Sequence, residues 1–276
     1  MNILVTLNSN YLMPLCTMLR SLVKSNGSEK IDLYVAHSSL TESDFEKINL
    51  AIQGGNINVI DIKLDDDLFA DAPFKKRISK ETYYRMFAPF YLPESVDRIL
   101  YIDPDTVVIN SLEEFYNLDF GDFYIIGAKH FDGFVGVWNK ARLGIHRSKH
   151  YINAGVMLMD IKKMRLTVDK KKIFKVIHKY NRILFLADQD AINILYDGKI
   201  TTFTEFKINL DERTFAHMLE KIEVNQALDI VRDMTAIVHF NGKNKPWKSK
   251  YKGYLSGFYD KYNQESPDLN TRGTQL

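Results

Sequence analysis

Residues Arg98-Ile-Leu-Tyr-Ile-Asp-Pro-Asp-Thr-Val-Val-Ile-Asn110 decide how the chain folds. Ile99 to Ile102 form an unbroken apolar run of strand-favouring residues, the pattern of a strand covered on both faces in a mainly parallel sheet. Pro104 has no N–H to continue a central ladder, so the strand stops where Asp103 and Asp105 emerge. Ligands of open α/β sheets collect at the carboxyl ends of strands, and two carboxylates there suit a cation together with an anionic ligand that it holds. A solvated turn after a strand is the bland alternative.

Upstream, Asn2 to Leu7 reads as a first buried strand that leaves the sheet through Asn8, Ser9 and Asn10. A helix follows, with Leu12, Leu15, Cys16, Leu19, Leu22 and Val23 on one face and Asn26-Gly27 as its stop. Ile31 to Ala36 and Ile57 to Ile62 are further strands, separated by a helix that Thr41 caps with Asp44 three residues on. This alternation predicts an α/β fold with a doubly wound, mainly parallel sheet flanked by helices. Asp65, Asp66, Asp67 and Asp71 lack the glycine and the closing glutamate of a calcium loop and read as a solvated loop.

Downstream, Ser79 can cap a helix that runs from Thr82 through Arg85 to Phe90 and is ended by Pro93. Leu112 to Leu118 reads as a short helix and Asp122 to Ala128 as a strand. Lys129 to His150 mixes Gly133, Gly136 and Gly144 with Phe131, Phe134 and Trp138 without a sustained period, and predicts an irregular lid. Tyr151 to Asp160 is a strand with Asn153 at its start, next to Ala154 and Gly155, small residues where backbone or ligand must approach closely. Asp188 and Asp190 in the first turn of a later helix complement its dipole, whereas Gln189 has no such structural explanation. Thr235 to Phe240 is the last strand. It carries His239 at its end, ahead of Asn241-Gly-Lys-Asn-Lys-Pro-Trp247, a Gly/Lys loop able to meet phosphate. Tyr254, Leu255, Phe258, Tyr259 and Tyr262 form one aromatic face of a C-terminal helix, expected to dock on the core, with a membrane surface as the alternative.

The 276 residues are 45% hydrophobic and 12% aromatic, ample for a core. A net charge of +2 is too mild to point to a nucleic-acid partner. No apolar run approaches the roughly eighteen residues of a membrane helix, and the N-terminal stretch lacks the leading basic residues of a signal peptide. Cys16 is the single cysteine. A packing role for it suits a reducing cytoplasm, at the inner face of the cell membrane if the last helix touches lipid.

Taken in order, Asp103-Pro104-Asp105, Asn153-Ala154-Gly155, Asp188-Gln189-Asp190 and His239 with Gly242 and Lys245-Pro-Trp247 resemble the retaining glycosyltransferases of family eight. That family includes bacterial lipopolysaccharide galactosyl- and glucosyltransferases and glycogenin. The resemblance implies a GT-A fold, Rossmann-like, over residues 1–247; the residues beyond it read by their own pattern as an aromatic, basic helix over 248–264 and a disordered tail over 265–276. It also implies a UDP-hexose donor, Mn2+ or Mg2+, and a glycan or glycolipid acceptor. By the same resemblance, Asp103, Asp105 and His239 hold the metal, and Thr6, Asn8, Asn10, Gly242 and Lys245 touch the nucleotide. Arg85, Asn153, Ala154, Gly155, Asp188 and Gln189 surround the donor sugar. Bacterial relatives tend to carry Asp where this chain has Asn8. Two other classes stand beside this one. Ile99 to Thr106 also fits the Asp-x-Asp-x-Thr strand end of a haloacid-dehalogenase-type phosphohydrolase, which has no use for His239 and Lys245. A catalytically silent sugar-nucleotide-binding module would carry the same motifs.

Overall fold

The computed structural model describes residues 1–65, 81–130, 133–180 and 183–263. Asp66, Asp67, Asp71, the Ser79 cap, Phe131 and the tail from Glu265 to Leu276 lie outside those residues. In chain order the elements are β1 (Asn2–Thr6), α1 (Leu12–Asn26), β2 (Ile31–His37), α2 (Glu42–Ala51), β3 (Ile57–Lys63), α3 (Glu81–Tyr84), α4 (Ala88–Tyr91), β4 (Arg98–Ile102), β5 (Thr106–Val108), α5 (Glu113–Tyr116) and β6 (Ile125–Lys129). They continue with α6 (Gly133–Leu143), β7 (Ile152–Asp160), α7 (Ile161–Thr167), α8 (Lys170–Tyr180), α9 (Ala187–Leu195), β8 (Ile200–Phe203), α10 (Glu205–Ile208), α11 (Glu212–Leu219), α12 (Val224–Met234), β9 (Ile237–His239) and α13 (Ser256–Asn263).

The main sheet runs β3-β2-β1-β4-β7-β6-β8. It is parallel except for β7, which pairs antiparallel with both β4 and β6. The expected mainly parallel, doubly wound sheet is therefore what forms. Alternation along each strand divides its residues between two cores. Leu4, Tyr101 and Met157 pack on one face, and Ile3, Val5, Leu100, Ile102, Val156 and Leu158 pack on the other. Full burial of such a side chain contributes about 1.5–3 kcal/mol. The Thr41 and Asp44 capping box forms in both directions at the start of α2.

β5 and β9 stand apart as a two-stranded antiparallel ribbon over a third core. α13 docks there with Leu255, Tyr259 and Tyr262 buried, as the aromatic face predicts. Glu212 fixes its approach by accepting from the Tyr251 hydroxyl at 2.7 Å and from the backbone N–H groups of Tyr254 and Leu255. Among the described residues no helix is long and apolar enough to cross a membrane.

Two expectations need correction, and one helix was not foreseen. Residues 133–143 form helix α6 rather than an irregular loop. Its Val135, Val137 and Trp138 are exposed while Asn139 and Leu143 are buried, so three of its large apolar residues lie off its inner face. The single helix expected over 82–90 is broken by a 3-10 turn at Arg85–Phe87. α7 has no counterpart among the expected elements. Its Arg165 collects the carbonyls of Pro89, Leu92, Pro93, Glu94 and Val96, which ties down the end of α4 and the loop beyond.

Asp190 is a buried hub as well as a first-turn acid. It accepts from the Tyr151 hydroxyl at 2.6 Å, from the N–H groups of Phe185 and Leu186 at 2.8 and 3.1 Å, and from Arg142 at 3.1 Å. Asp190→Ala would leave a buried guanidinium and two backbone donors without this acceptor. It should cost about 3–5 kcal/mol in urea unfolding, and a loss under about 1 kcal/mol, the scale of an exposed pair, would show that the hub is dispensable.

Candidate active site at the carboxyl end of the central strand

β4 ends at Ile102, and Asp103 N–H then donates to Gly155 O at 2.7 Å, which joins the Asp-Pro-Asp turn to the start of β7. Thr106 Oγ1 closes that turn on Asp103 O at 2.9 Å. In the β5–β9 ribbon Thr106 faces His239, and Phe240 N–H donates to Asp105 O at 3.0 Å. His239 Nε2 consequently stands 3.2 Å from Asp105 Oδ1 and 3.8 Å from Asp103 Oδ2. One donor atom from each of the three residues falls within 4.8 Å of the others. Two carboxylates and one imidazole are a donor set that suits a divalent ion such as Mn2+. Lys245 Nζ is buried on Asp105 and donates also to Phe240 O at 2.8 Å.

The electrostatics are reciprocal. Burial alone would raise Asp105, but His239 and Lys245 hold its carboxyl well below the usual range. Burial disfavours the imidazolium of His239, yet contact with Asp105 outweighs it and raises its pKa.

Arg85 joins this cluster to a second group. Its guanidinium lies 3.0 Å from Asp103 Oδ1 and 3.0 Å from Asp188 Oδ2, the latter an ion pair out of line for a hydrogen bond. It donates to Ala154 O at 2.7 Å and sits 4.3 Å over the Tyr101 ring. The Tyr101 hydroxyl donates to Asp103 at 2.6 Å and meets Thr6 Oγ1 at 3.0 Å. Burial raises Asp188 to about 6, against the pull of Arg85. Gln189 accepts from Ala154 N–H at 3.2 Å and donates to the Tyr151 hydroxyl at 3.1 Å, so its amide has a set orientation. Ala187, immediately before this pair, holds φ at +45°, a conformation costly for a residue with a Cβ.

Two open cavities of about 430 and 410 Å3 meet at Arg85 and Asp103. Thr6, Asn8, Asn10, Pro104 and Asp105 line the first. Asn153, Ala154, Gly155, Asp188, Gln189 and His239 line the second. Gly242 lies in neither. It is exposed in an adjoining groove of about 700 Å3 that shares His239 with the second cavity. Asn8 also has a local role, since its Oδ1 accepts Asn10 N–H at 3.1 Å as the cap of a 3-10 turn. Tyr101, His130 and Asn209 belong to the site's hydrogen-bonded wall and are absent from the motifs. Only strand-end position could have flagged Tyr101.

The model of glycosyl transferase family 8 matches residues 2–251. The chain belongs to this family. It is 26% identical to general stress protein A of Bacillus subtilis, over 91% of this chain and 89% of the relative. It is 23% identical to the lipopolysaccharide 1,2-glucosyltransferase of Escherichia coli, over 90% and 72%. A crystal structure of the galactosyltransferase LgtC in complex with donor and acceptor sugar analogs superposes with a TM-score of 0.81 at 25% identity, covering 98% of each chain. The fold is thus the one shared with that enzyme, and family 8 membership displaces the phosphohydrolase alternative.

A Cβ on Gly155 would strike His239 Cε1 and lie 2.7 Å from Asp103 Oδ2 and 3.0 Å from Asn153 Oδ1. Gly155→Ala should therefore displace His239 and abolish thermal stabilisation by Mn2+ while the far-UV dichroism stays native. Full stabilisation in that variant would show that His239 is not needed in its present position.

Proposed function

We propose that this family 8 chain is a metal-dependent, retaining hexosyltransferase that moves glucose or galactose from a UDP-sugar to a glycan or glycolipid acceptor. The observation that carries this reading is the meeting of Asp103, Asp105 and His239 where two cavities adjoin at Asp103. The family match and the lipopolysaccharide glucosyltransferase and galactosyltransferase LgtC likenesses support it.

A divalent ion held by those three residues would act as an electrophile toward the departing diphosphate. Lys245 has three N–H donors, two of them committed to Asp105 and Phe240 O, and its charge beside Asp105 would favour a diphosphate bound at the metal. Arg85 holds Asp103, Asp188 and the Ala154 carbonyl in one rigid frame, so the wall facing the sugar is preorganised. The hexose becomes oxocarbenium-like as the bond to diphosphate breaks. Gln189 keeps one N–H and one oxygen lone pair free for it, and an amide oxygen is a poor nucleophile. Asp188 is already ion-paired with Arg85, which counts against it as a covalent nucleophile. The acceptor hydroxyl then attacks from the face that the diphosphate leaves, and its proton passes to the diphosphate.

Incubation with UDP-glucose or UDP-galactose, Mn2+ and an acceptor glycan should release UDP and give, by proton NMR, an α-linked first product. A β-linked product refutes retention, and nucleotide binding without any UDP release would point to a silent binding module. Asp105→Ala should keep the fold but lose metal-dependent thermal stabilisation by UDP.

The raised pKa of His239 gives the pH dependence its sign. Metal binding needs Nε2 without a proton, so affinity is highest above the raised pKa and falls as pH drops through it, by about tenfold per unit below. Mn2+ titrations from pH 8.5 down to 6 should show this decline, and a flat profile would remove His239 from the ligand set.

A further inference from the structure

Asn209 follows α10, where the chain runs alongside β9. Leu210 N–H donates to Ile237 O at 3.0 Å, and His239 N–H donates to Leu210 O at 2.7 Å. This backbone pairing sets Asn209, 5% exposed, beside the imidazole of His239 although thirty residues separate them. Asn209 Oδ1 lies 2.7 Å from His239 Nδ1, and Asn209 Nδ2 donates to Asn153 Oδ1 at 3.0 Å.

The direction of these bonds is fixed from one end. Gly155 N–H, a backbone donor that cannot flip, points at Asn153 Oδ1 from 2.7 Å, so that atom must be the amide oxygen. Asn209 must then turn its NH2 to Asn153 and its oxygen to His239. Nδ1 of His239 carries a proton, so that in the neutral imidazole it is Nε2, facing Asp105 and Asp103, that has the lone pair for a metal. The same bonds use both lone pairs of Asn153 Oδ1 and one N–H of its amide, which meets His130 Nδ1 at 3.1 Å. Asn153 is therefore a strut between the metal ligand and the cavity wall, with at most one amide hydrogen left for a sugar.

We propose that Asn209 is a positioning residue for metal binding, which fixes the Nδ1–H tautomer of His239 and ties the imidazole to the wall built by Asn153 and Gly155. The proposal rests on the metal site put forward under Proposed function. Outer partners of ligating histidines orient the ring and raise its basicity, and losing one typically weakens metal binding about 10–100-fold.

The test is a Mn2+ titration read by the electron paramagnetic resonance of the free ion, at one pH and without nucleotide, beside the unfolding temperature of the metal-free protein. Asn209→Ala should raise the Mn2+ Kd about 10–100-fold. Asn209→Asp, which retains an acceptor for Nδ1–H and loses the donor to Asn153, should recover most of that loss. Asn209→Leu fills similar volume without either bond and gives the same readout if the alanine variant does not fold. A purely structural Asn209 would lower the unfolding temperature and leave the Kd unchanged in each folded variant. That outcome, with binding still abolished by Asp105→Ala, overturns this proposal alone. If the unsubstituted protein bound no Mn2+, or Asp105→Ala bound it as tightly, the metal site would fall and the role of Asn209 with it.

Discussion

The antiparallel seat of β7 against β4 is the constraint on which the site depends. Ile102 pairs with Val156 in the middle of β7, so the residues that follow β4 run beside the first half of β7, and the Asp-Pro-Asp turn lands on Asn153-Ala154-Gly155. Had β7 run parallel to β4, those residues would lie at the opposite edge of the sheet, a full strand length from the carboxylates. Gly155 permits the close approach because it has no side chain to occupy the space taken by His239 and Asp103.

Charge is handled by mutual pairing within this crowded region. Arg85 is buried between Asp103 and Asp188, and Lys245 and His239 are buried on Asp105. Each ion would be expensive to bury alone, and each is tolerable because its partner is at hydrogen-bonding range. Such pairs add little net stability but leave the groups fixed in orientation, with no solvent reorganisation needed when a charged ligand enters.

Local periodicity made the first half of the sheet legible. The apolar runs of β1, β2 and β3, the Thr41 cap and the proline after Asp103 each act on near neighbours in sequence. The strand-end acids and His239 were visible as residue types, and their convergence is what three dimensions added. Tyr101 was hidden because a tyrosine in an apolar run looks like core, and its ring is indeed core while only the hydroxyl reaches Asp103. Asn209 was hidden because its meaning comes from pairing with β9, in a stretch whose short helices carry no long period. α6 was missed because its exposed face bears Val135, Val137 and Trp138, against the usual rule that apolar residues mark the inner face.

The ribbon of β5 and β9 has a bearing on how the molecule is made. β5 follows the acids directly, whereas β9 is separated from it by well over a hundred residues, and α13, which covers the ribbon, lies later still. On a ribosome the sheet from β1 to β4 can form with Arg85 and Tyr101 already beside Asp103, while Asp105 lacks both of its partners because His239 and Lys245 have not yet been synthesised. Thr17 in α1 also waits for the hydroxyl of Tyr259, 3.4 Å away in the finished fold. Closure between such distant segments is entropically slow. The nascent chain therefore carries one unneutralised carboxylate, that of Asp105, at a sheet end until nearly all of the described residues have emerged, and the last segments to arrive complete both the core and the site.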